Sequence, residues 1–198
     1  NAMMSYSCTN NPYSGATDPK TAGNGSLMRL VPIALAYHRS IDDAIHYAGL
    51  SSKTTHGAEE SVLCCQYLVF LIVRCVNGEN DKEKLFDDAL KLDFIREISP
   101  ISNQTFKTKD REKIVGSGYV VQSLEAALWC FWHSKSYSEA VLLAVNLGDD
   151  ADTTAAICGQ LAGAFYELES IPLRWREQLY MSNEIQDIAI KSSMVFNK

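Results

Sequence analysis

The hydrophobic and polar positions along the chain repeat with the spacing of α-helices, and no segment shows the alternation typical of a β-strand. Apolar residues recur every three or four positions in eight segments. These predicted helices cover residues 41–50, 56–78, 81–94, 119–134, 136–147, 151–166, 171–180 and 183–194. Together they predict an all-α helical bundle in a single domain.

Local signals add detail at three places. Ser136 and Glu139 have the spacing of a capping box at the start of a helix. Residues 99–118 are polar and contain Pro and Gly, which predicts a loop. The helix over residues 151–166 carries Gly159 and Gly163 four positions apart, so we expect another backbone to approach it closely at the centre of the bundle.

The composition is that of an ordinary globular protein, with 198 residues of which 46% are hydrophobic and 21% are charged. This length allows one domain with a sizeable core. The formal net charge is -6. A field of that sign repels phosphate, which argues against nucleic acid as a partner.

The sequence contains no signal for a membrane or for secretion. Its longest apolar run, residues 67–73, is far too short to span a bilayer, and its N-terminus lacks a signal-peptide pattern. The six cysteines have no CxxC spacing, which indicates reduced thiols in a cytoplasmic protein. Residues 1–3 are interpreted as a tag remnant and natural start, so the domain is predicted over residues 4–198.

The first candidate for chemistry is an acidic cluster directly before a helix of small residues. Asp149, Asp150 and Asp152 place three carboxylates within four positions, and Thr153 adds a hydroxyl. Carboxylates and a hydroxyl beside a first helical turn offer hard oxygen ligands, which suit Mg²⁺, Mn²⁺ or Ca²⁺ and not zinc. The alternative is an acidic helix N-terminus that the helix dipole stabilises without any metal.

The second candidate is a glycine-rich turn ahead of a helical segment. The stretch Gly23-Asn24-Gly25-Ser26 offers backbone N–H groups that can approach an anion closely. Arg29 adds a planar donor group suited to phosphate or carboxylate. The alternative is a simple turn and helix cap, with Arg29 in solvent.

Two further candidates stand at predicted helix starts. His56 follows Thr54 and Thr55, and could be a structural hydrogen-bonding group or a contact to a ligand phosphate or ribose. In "GSGYVV", two glycines precede Tyr119, which could belong to the core or stack on a base.

Together, and in this order, the motifs "GNGSLMR", "TTH", "GSGYVV" and "GDDADTTAAICGQLAGA" resemble those of the ADP-ribosylglycohydrolase family. The resemblance extends over residues 22–166. It implies an all-α fold around a cleft with two magnesium ions. It also implies hydrolysis of the glycosidic bond that joins ADP-ribose to a protein side chain or a small molecule.

The resemblance also implies roles for individual residues. The metal ligands would be Asp150, Asp152 and Thr153, whereas Asp149 occupies a position where relatives often carry glycine and would not be a ligand. The substrate cleft would be formed by residues of the other three motifs: Asn24, Gly25, Ser26 and Met28, with His56 at phosphate or ribose and Gly118 and Tyr119 near the adenosine.

Part of the family pattern is missing from the chain. The family also has an N-terminal glycine-rich segment, a glutamate that acts on the substrate, and a Thr-Asp-Asp-Thr run that binds magnesium from the opposite side; none of these is found here. We therefore expect a C-terminal portion of the domain, with no assigned catalytic residue and poor or no hydrolysis by the isolated chain. Exposed apolar surface would then favour a homo-oligomer or a complementing chain.

Two alternatives remain. The chain could be a non-catalytic remnant that binds ADP-ribose or a nucleotide, or that serves only as a scaffold. It could also be a haloacid-dehalogenase-like phosphatase, in which residues 140–147 form a strand, Asp150 is the nucleophile and Asp152 is the acid/base. The helical pattern before Asp150 and the lack of βαβ alternation argue against a phosphatase.

Overall fold

The computed structural model describes residues 2–196, which form an all-α bundle as predicted. The helices are α1 (Ala2–Thr9), α2 (Val31–Ala36), α3 (Ile41–Lys53), α4 (Glu59–Val76), α5 (Lys82–Ala89), α6 (Val120–His133), α7 (Tyr137–Val145), α8 (Ala151–Tyr166), α9 (Leu173–Gln178) and α10 (Ser182–Phe196). No strand forms in this part of the chain, where extended segments pair only at isolated bridges. Because α7 is a helix where the phosphatase alternative requires a strand, that alternative is excluded.

The centre of the bundle is α4, which packs against α2, α3, α5, α6 and α8. Almost all of its residues between Ser61 and Val73 are buried. The apolar run at residues 67–73 therefore belongs to a core helix. Within residues 2–196, no helix is both long enough and apolar enough to cross a membrane.

The prediction that another backbone packs closely on the glycines of α8 is wrong. A Cβ added at Gly159 would lie 3.5 Å from the Tyr137 hydroxyl and 3.8 Å from Val141 Cγ2, and one at Gly163 would lie 3.7 Å from the Tyr137 ring. The small residues of α8 therefore accommodate the aromatic side chain of Tyr137 on α7. The helix α8 as a whole packs against α7, α6 and α4.

The predicted helix cap before α7 is confirmed, with a different partner for its glutamate. The Ser136 hydroxyl accepts a hydrogen bond from the Glu139 backbone N–H at 3.2 Å. The Glu139 carboxylate accepts from the backbone N–H of Lys135 at 2.7 Å, one residue earlier than a standard capping box requires.

The segment over residues 99–118, predicted as a loop, contains three short 3₁₀ helices. Ile101 and Phe106 of this segment are fully buried. Its Lys109 ammonium donates to both carboxylate oxygens of Glu125 on α6, at 2.7 and 2.8 Å. The polar composition therefore gave no sign that widely spaced apolar residues anchor this segment in the core.

Both chain ends lie on the outside of the bundle. The helices α1 and α10 contain no buried residue. The interpretation of residues 1–3 as a tag remnant is untested, and Asn1 lies outside the described residues. All six cysteines are free, and five of them are buried.

Candidate functional site

Three of the four predicted motifs are joined by backbone hydrogen bonds. The Asn24 N–H donates to the Gly118 carbonyl at 3.1 Å, so the glycine-rich turn lies beside the segment that enters α6. The Asp150 N–H donates to the Gly116 carbonyl at 2.9 Å. The segment over residues 116–119 therefore lies between the glycine-rich turn and the start of α8.

The side chain of Asn24 connects the same elements. Its amide nitrogen donates to the Asp150 carboxylate at 2.7 Å and lies 3.1 Å from the Ser123 hydroxyl and 3.4 Å from the Ser117 carbonyl. Asn24 is only 8% exposed. The hydrogen bond from Asn24 is the main reason that the pKa of Asp150 lies below its ordinary value; contacts with Thr153 and Asp152 act in the same direction, and burial opposes them. Asn24 thus stabilises the ionised form of Asp150.

The acidic cluster offers the donor chemistry of a partial magnesium site. Asp150 is half-buried, Asp152 is exposed and Thr153 is buried at the start of α8. Within the described part of the chain, no group of three or more His, Cys, Asp or Glu side chains is placed to hold a metal. Magnesium nevertheless commonly binds through one or two carboxylates and retains several waters, so two carboxylates and a hydroxyl fit this ion.

The backbone explains why an aspartate can stand at position 149. Gly148 and Asp149 both have positive φ, 85° and 52°. This left-handed region favours glycine and tolerates aspartate better than most residues. The turn into α8 therefore requires the left-handed backbone conformation that Asp149 adopts.

The fourth motif reaches the glycine-rich turn through the ring of His56. A Cβ added at Gly25 would lie 2.9 Å from His56 Cε1 and 3.1 Å from Nε2. A Cβ added at Gly23 would lie 3.3 Å from Cδ2 and 3.4 Å from Nε2. The imidazole therefore fills the space that a side chain at either glycine would occupy, most tightly at Gly25.

Arg29 is exposed but is held by hydrogen bonds from Nη2 of its guanidinium, so it is not simply a solvated side chain. Its guanidinium donates to the Thr55 hydroxyl at 2.8 Å, the Ser51 carbonyl at 3.1 Å and the Thr54 hydroxyl at 3.2 Å. The Thr55 hydroxyl is in turn 2.8 Å from His56 Nδ1. Burial first, and the Arg29 charge second, lower the pKa of His56. Sequence reasoning missed this link, because it depends on residues 26 positions apart.

The two remaining residues of the "GNGSLMR" motif differ in exposure. Ser26 is 2% exposed, and its hydroxyl accepts hydrogen bonds from the Ser52 hydroxyl at 2.9 Å and the Cys65 thiol at 3.3 Å. Ser26 therefore connects the glycine-rich turn to Ser52 on α3 and Cys65 on α4. Met28 is 49% exposed and lies at the surface.

The predicted adenosine end contains Gly118 and Tyr119. An added Cβ at Gly118 would meet no atom within 4 Å, so this residue borders open space. The Tyr119 hydroxyl donates to the Glu60 carboxylate at 2.8 Å. Burial and then this bond raise the pKa of Tyr119 to about 12. Glu60 was missed because an acidic residue in a first helical turn needs no partner to be explained.

Comparison with known proteins gives one consistent result. A family model described as ADP-ribosylglycohydrolase matches residues 2–197. The ADP-ribosylarginine hydrolase Tri1 of Pseudomonas putida (strain GB-1) is 42% identical over 181 residues, which are 89% of this chain and 47% of that protein. The protein of the same name from Serratia proteamaculans (strain 568) is 36% identical over 189 residues, which are 96% of this chain and 51% of that protein.

A solved structure titled "ADP-ribosylglycohydrolase-related protein complex" has the same fold, with a TM-score of 0.85 and 36% sequence identity. The alignment covers 98% of this chain and 66% of that one. The chain thus spans about half the length of the two hydrolases and about two thirds of the solved chain.

Proposed function

Because the chain belongs to the ADP-ribosylglycohydrolase family, we propose that its four motifs form the ADP-ribose- and magnesium-binding part of a glycosidic-bond hydrolase. The observation that carries this proposal is the 2.7 Å hydrogen bond from the Asn24 amide to Asp150, which joins the glycine-rich turn to the acidic cluster. The substrate is an ADP-ribosylated protein or an ADP-ribose-containing small molecule. The names of the two similar hydrolases support ADP-ribosylarginine as the substrate class.

In this proposal Asp150, Asp152 and Thr153 hold Mg²⁺. When bound, the ion supplies positive charge that orients the ribose hydroxyls and stabilises charge as the glycosidic bond breaks. The chain's own contribution is a carboxylate whose ionised form the Asn24 amide stabilises and holds in place, which also lowers the pKa of Asp150. Two carboxylates leave the other coordination positions to water and substrate oxygens.

The other motifs bind the ADP-ribose itself. The glycine-rich turn, with Asn24 and Gly25, borders the ligand together with the imidazole that fills the space beside its two glycines. His56 lies against that turn and contacts phosphate or ribose. Tyr119, whose hydroxyl is fixed by Glu60, contacts the adenosine beside Gly118.

Location and association belong to the same proposal. Six free cysteines, five of them buried, support a cytoplasmic location, where thiols stay reduced. On α10, Ile188 is 64% exposed and Val195 is 65% exposed. These exposed apolar side chains support association with a second copy or with a complementing chain. Light scattering of the purified protein measures whether it associates with a second copy of itself.

Calorimetric titration of ADP-ribose into the purified chain tests the proposal. We expect binding in the presence of Mg²⁺, weaker or no binding without it, and loss of the magnesium effect in Asp150→Ala. Asp149→Gly is the matched control, because it removes a neighbouring carboxylate at a backbone position that glycine favours. Equal binding with and without Mg²⁺, or equal binding by Asp150→Ala, would contradict the metal assignment.

Turnover is a separate question. The chain has no Thr-Asp-Asp-Thr run to bind magnesium from the opposite side of the cleft. We therefore expect it to release arginine from ADP-ribosyl-arginine slowly or not at all, although it binds ADP-ribose. Clear hydrolysis by the purified chain, abolished by Asp152→Ala, would show that this expectation is wrong. No binding of ADP-ribose under any condition would favour a scaffold.

A further inference from the structure

Hydrogen bonds connect three side chains in a row: Arg29, Thr55 and His56, the candidate ligand contact. The Arg29 guanidinium is 2.8 Å from the Thr55 hydroxyl oxygen, and that oxygen is 2.8 Å from His56 Nδ1. Arg29 itself is exposed and lies at the end of this row away from the ring. It has therefore no need to touch a ligand in order to influence one.

The donors and acceptors of these three side chains limit where the protons can lie. Arginine only donates, and a threonine hydroxyl carries one hydrogen and two lone pairs. The Thr55 oxygen accepts from Arg29 through one lone pair, which leaves its own hydrogen for donation to His56 Nδ1; its second lone pair would serve the opposite tautomer, and ¹⁵N NMR of the ring distinguishes the two. Thr54 shows the same arrangement, because its hydroxyl accepts from Arg29 and donates to the Ser51 carbonyl at 2.8 Å. If Nδ1 of a neutral imidazole accepts a hydrogen bond, the ring proton must be on Nε2.

The opposite edge of the ring lies against the glycine-rich turn. His56 Nε2 is 3.4 Å and 3.1 Å from the positions that Cβ atoms would occupy on Gly23 and Gly25. Among residues 2–196, no protein group makes a hydrogen bond to Nε2. A proton on Nε2 is therefore free to be donated to a molecule bound at the turn.

We propose that Arg29 is a positioning residue that acts through Thr55 to hold His56 as a neutral imidazole with its proton on Nε2, ready to donate to a phosphate or hydroxyl oxygen of the ligand. The identity of that ligand as ADP-ribose rests on the proposed function, but the tautomer does not. The lowered pKa of His56 agrees with this geometry, because burial and the Arg29 charge both disfavour the protonated ring. The neutral ring is the form whose Nδ1 can accept from Thr55.

The tautomer is measured by ¹⁵N NMR of the histidine ring in the ligand-free chain, labelled at its four histidines. The His56→Gln variant assigns the signal. We expect a protonated Nε2 and an unprotonated Nδ1 in the wild type and in Thr55→Ser, which keeps the hydroxyl. In Thr55→Val and in Arg29→Met we expect a mixture of tautomers. A proton on Nδ1 in the wild type, or an unchanged tautomer in Thr55→Val, would overturn the proposal.

Binding supplies the second measurement. Loss of one oriented hydrogen bond predicts roughly 2- to 10-fold weaker ADP-ribose binding by Thr55→Val, with Thr55→Ser restoring the wild-type affinity. A purely structural role for Thr55 would leave the tautomer unchanged. If the chain does not bind ADP-ribose, the proposed function fails while the tautomer still decides the role of Arg29 and Thr55.

Discussion

Gly15 provides the sharpest test of how the His56 segment is held in place. Residue 16 pairs with residue 56 in one of the isolated bridges. A Cβ added at Gly15 would lie 2.6 Å from the His56 nitrogen and 2.7 Å from both the Gly57 nitrogen and the Thr55 carbonyl carbon. All three atoms belong to the backbone, so no side-chain rotation can relieve the contact. In Gly15→Ala, the segments around residues 15 and 56 must therefore either stay together with a steric clash or move apart.

Both responses have similar free-energy costs. Bearing the clash is a case of overpacking, which costs about 1–3 kcal/mol. Separating the segments breaks the hydrogen bonds from Gly15 N to Lys53 O and from Gly57 N to Ala16 O, 2.9 and 3.0 Å long, at about 0.5–1.5 kcal/mol each. Either way, we expect the free energy of unfolding to fall by about 1–3 kcal/mol relative to a Gly→Ala change at a position with open space. For a chain of this length, each kcal/mol lowers Tm by about 2–4 °C.

Urea denaturation of Gly15→Ala measures this loss, and hydrogen exchange at the Gly57 amide separates the two responses. Exchange becomes faster if the segments separate and stays slow if the clash is borne. Gly118→Ala is the matched control, because an added Cβ there meets nothing within 4 Å, and both changes reduce the entropy of the unfolded chain equally. Wild-type stability of Gly15→Ala, or equal destabilisation by both variants, would refute the close packing of residues 15 and 56.

Three further predictions concern the start and the middle of α8. Asn24→Ala removes the main cause of the lowered pKa of Asp150, so we expect an NMR titration to show that pKa rising toward its ordinary value. In the wild type, the stabilisation from Asp150 is complete above the ordinary value of 3.8 and is lost as the pH falls below it. Acid denaturation of Asn24→Ala should therefore show a smaller loss of stability below that pH than the wild type shows. An equal loss in both proteins would contradict the conclusion that Asn24 lowers the pKa of Asp150. Gly159→Ala places a methyl group at ordinary contact distance from Tyr137; we expect thermal unfolding to show unchanged stability or a gain of about 0.4–1 kcal/mol, whereas a marked loss would show that backbone packing had been underestimated.

The sequence predicted the fold class because the apolar positions of the long helices are dense and regular. In α4 and α6, buried residues recur through every turn, so the helical period is visible without tertiary information. The segment over residues 99–118 gave no such signal. Its buried Ile101 and Phe106 are five positions apart, which matches neither a helix nor a strand, and tertiary contacts with α6 hold the short turns.

The candidate site was predictable where a single short motif contains the chemistry. Asp150, Asp152 and Thr153 are close in sequence, so their grouping at a helix start was visible directly. The hydrogen bonds that connect the candidate residues across the fold were not visible. Asn24 reaches Asp150 across 126 positions, and Tyr119 reaches Glu60 across 59. Such pairs depend on how the helices pack, which residue type and spacing do not encode.

NMR mapping of ADP-ribose binding in the presence of Mg²⁺ tests most directly whether the four separate motifs form one ADP-ribose site. We expect the largest amide shift changes to occur together at residues 23–25, 56, 118–119 and 150–153, with one common Kd. Changes confined to one motif, or changes centred on an unrelated surface such as α10, would contradict the claim that these motifs form a single site.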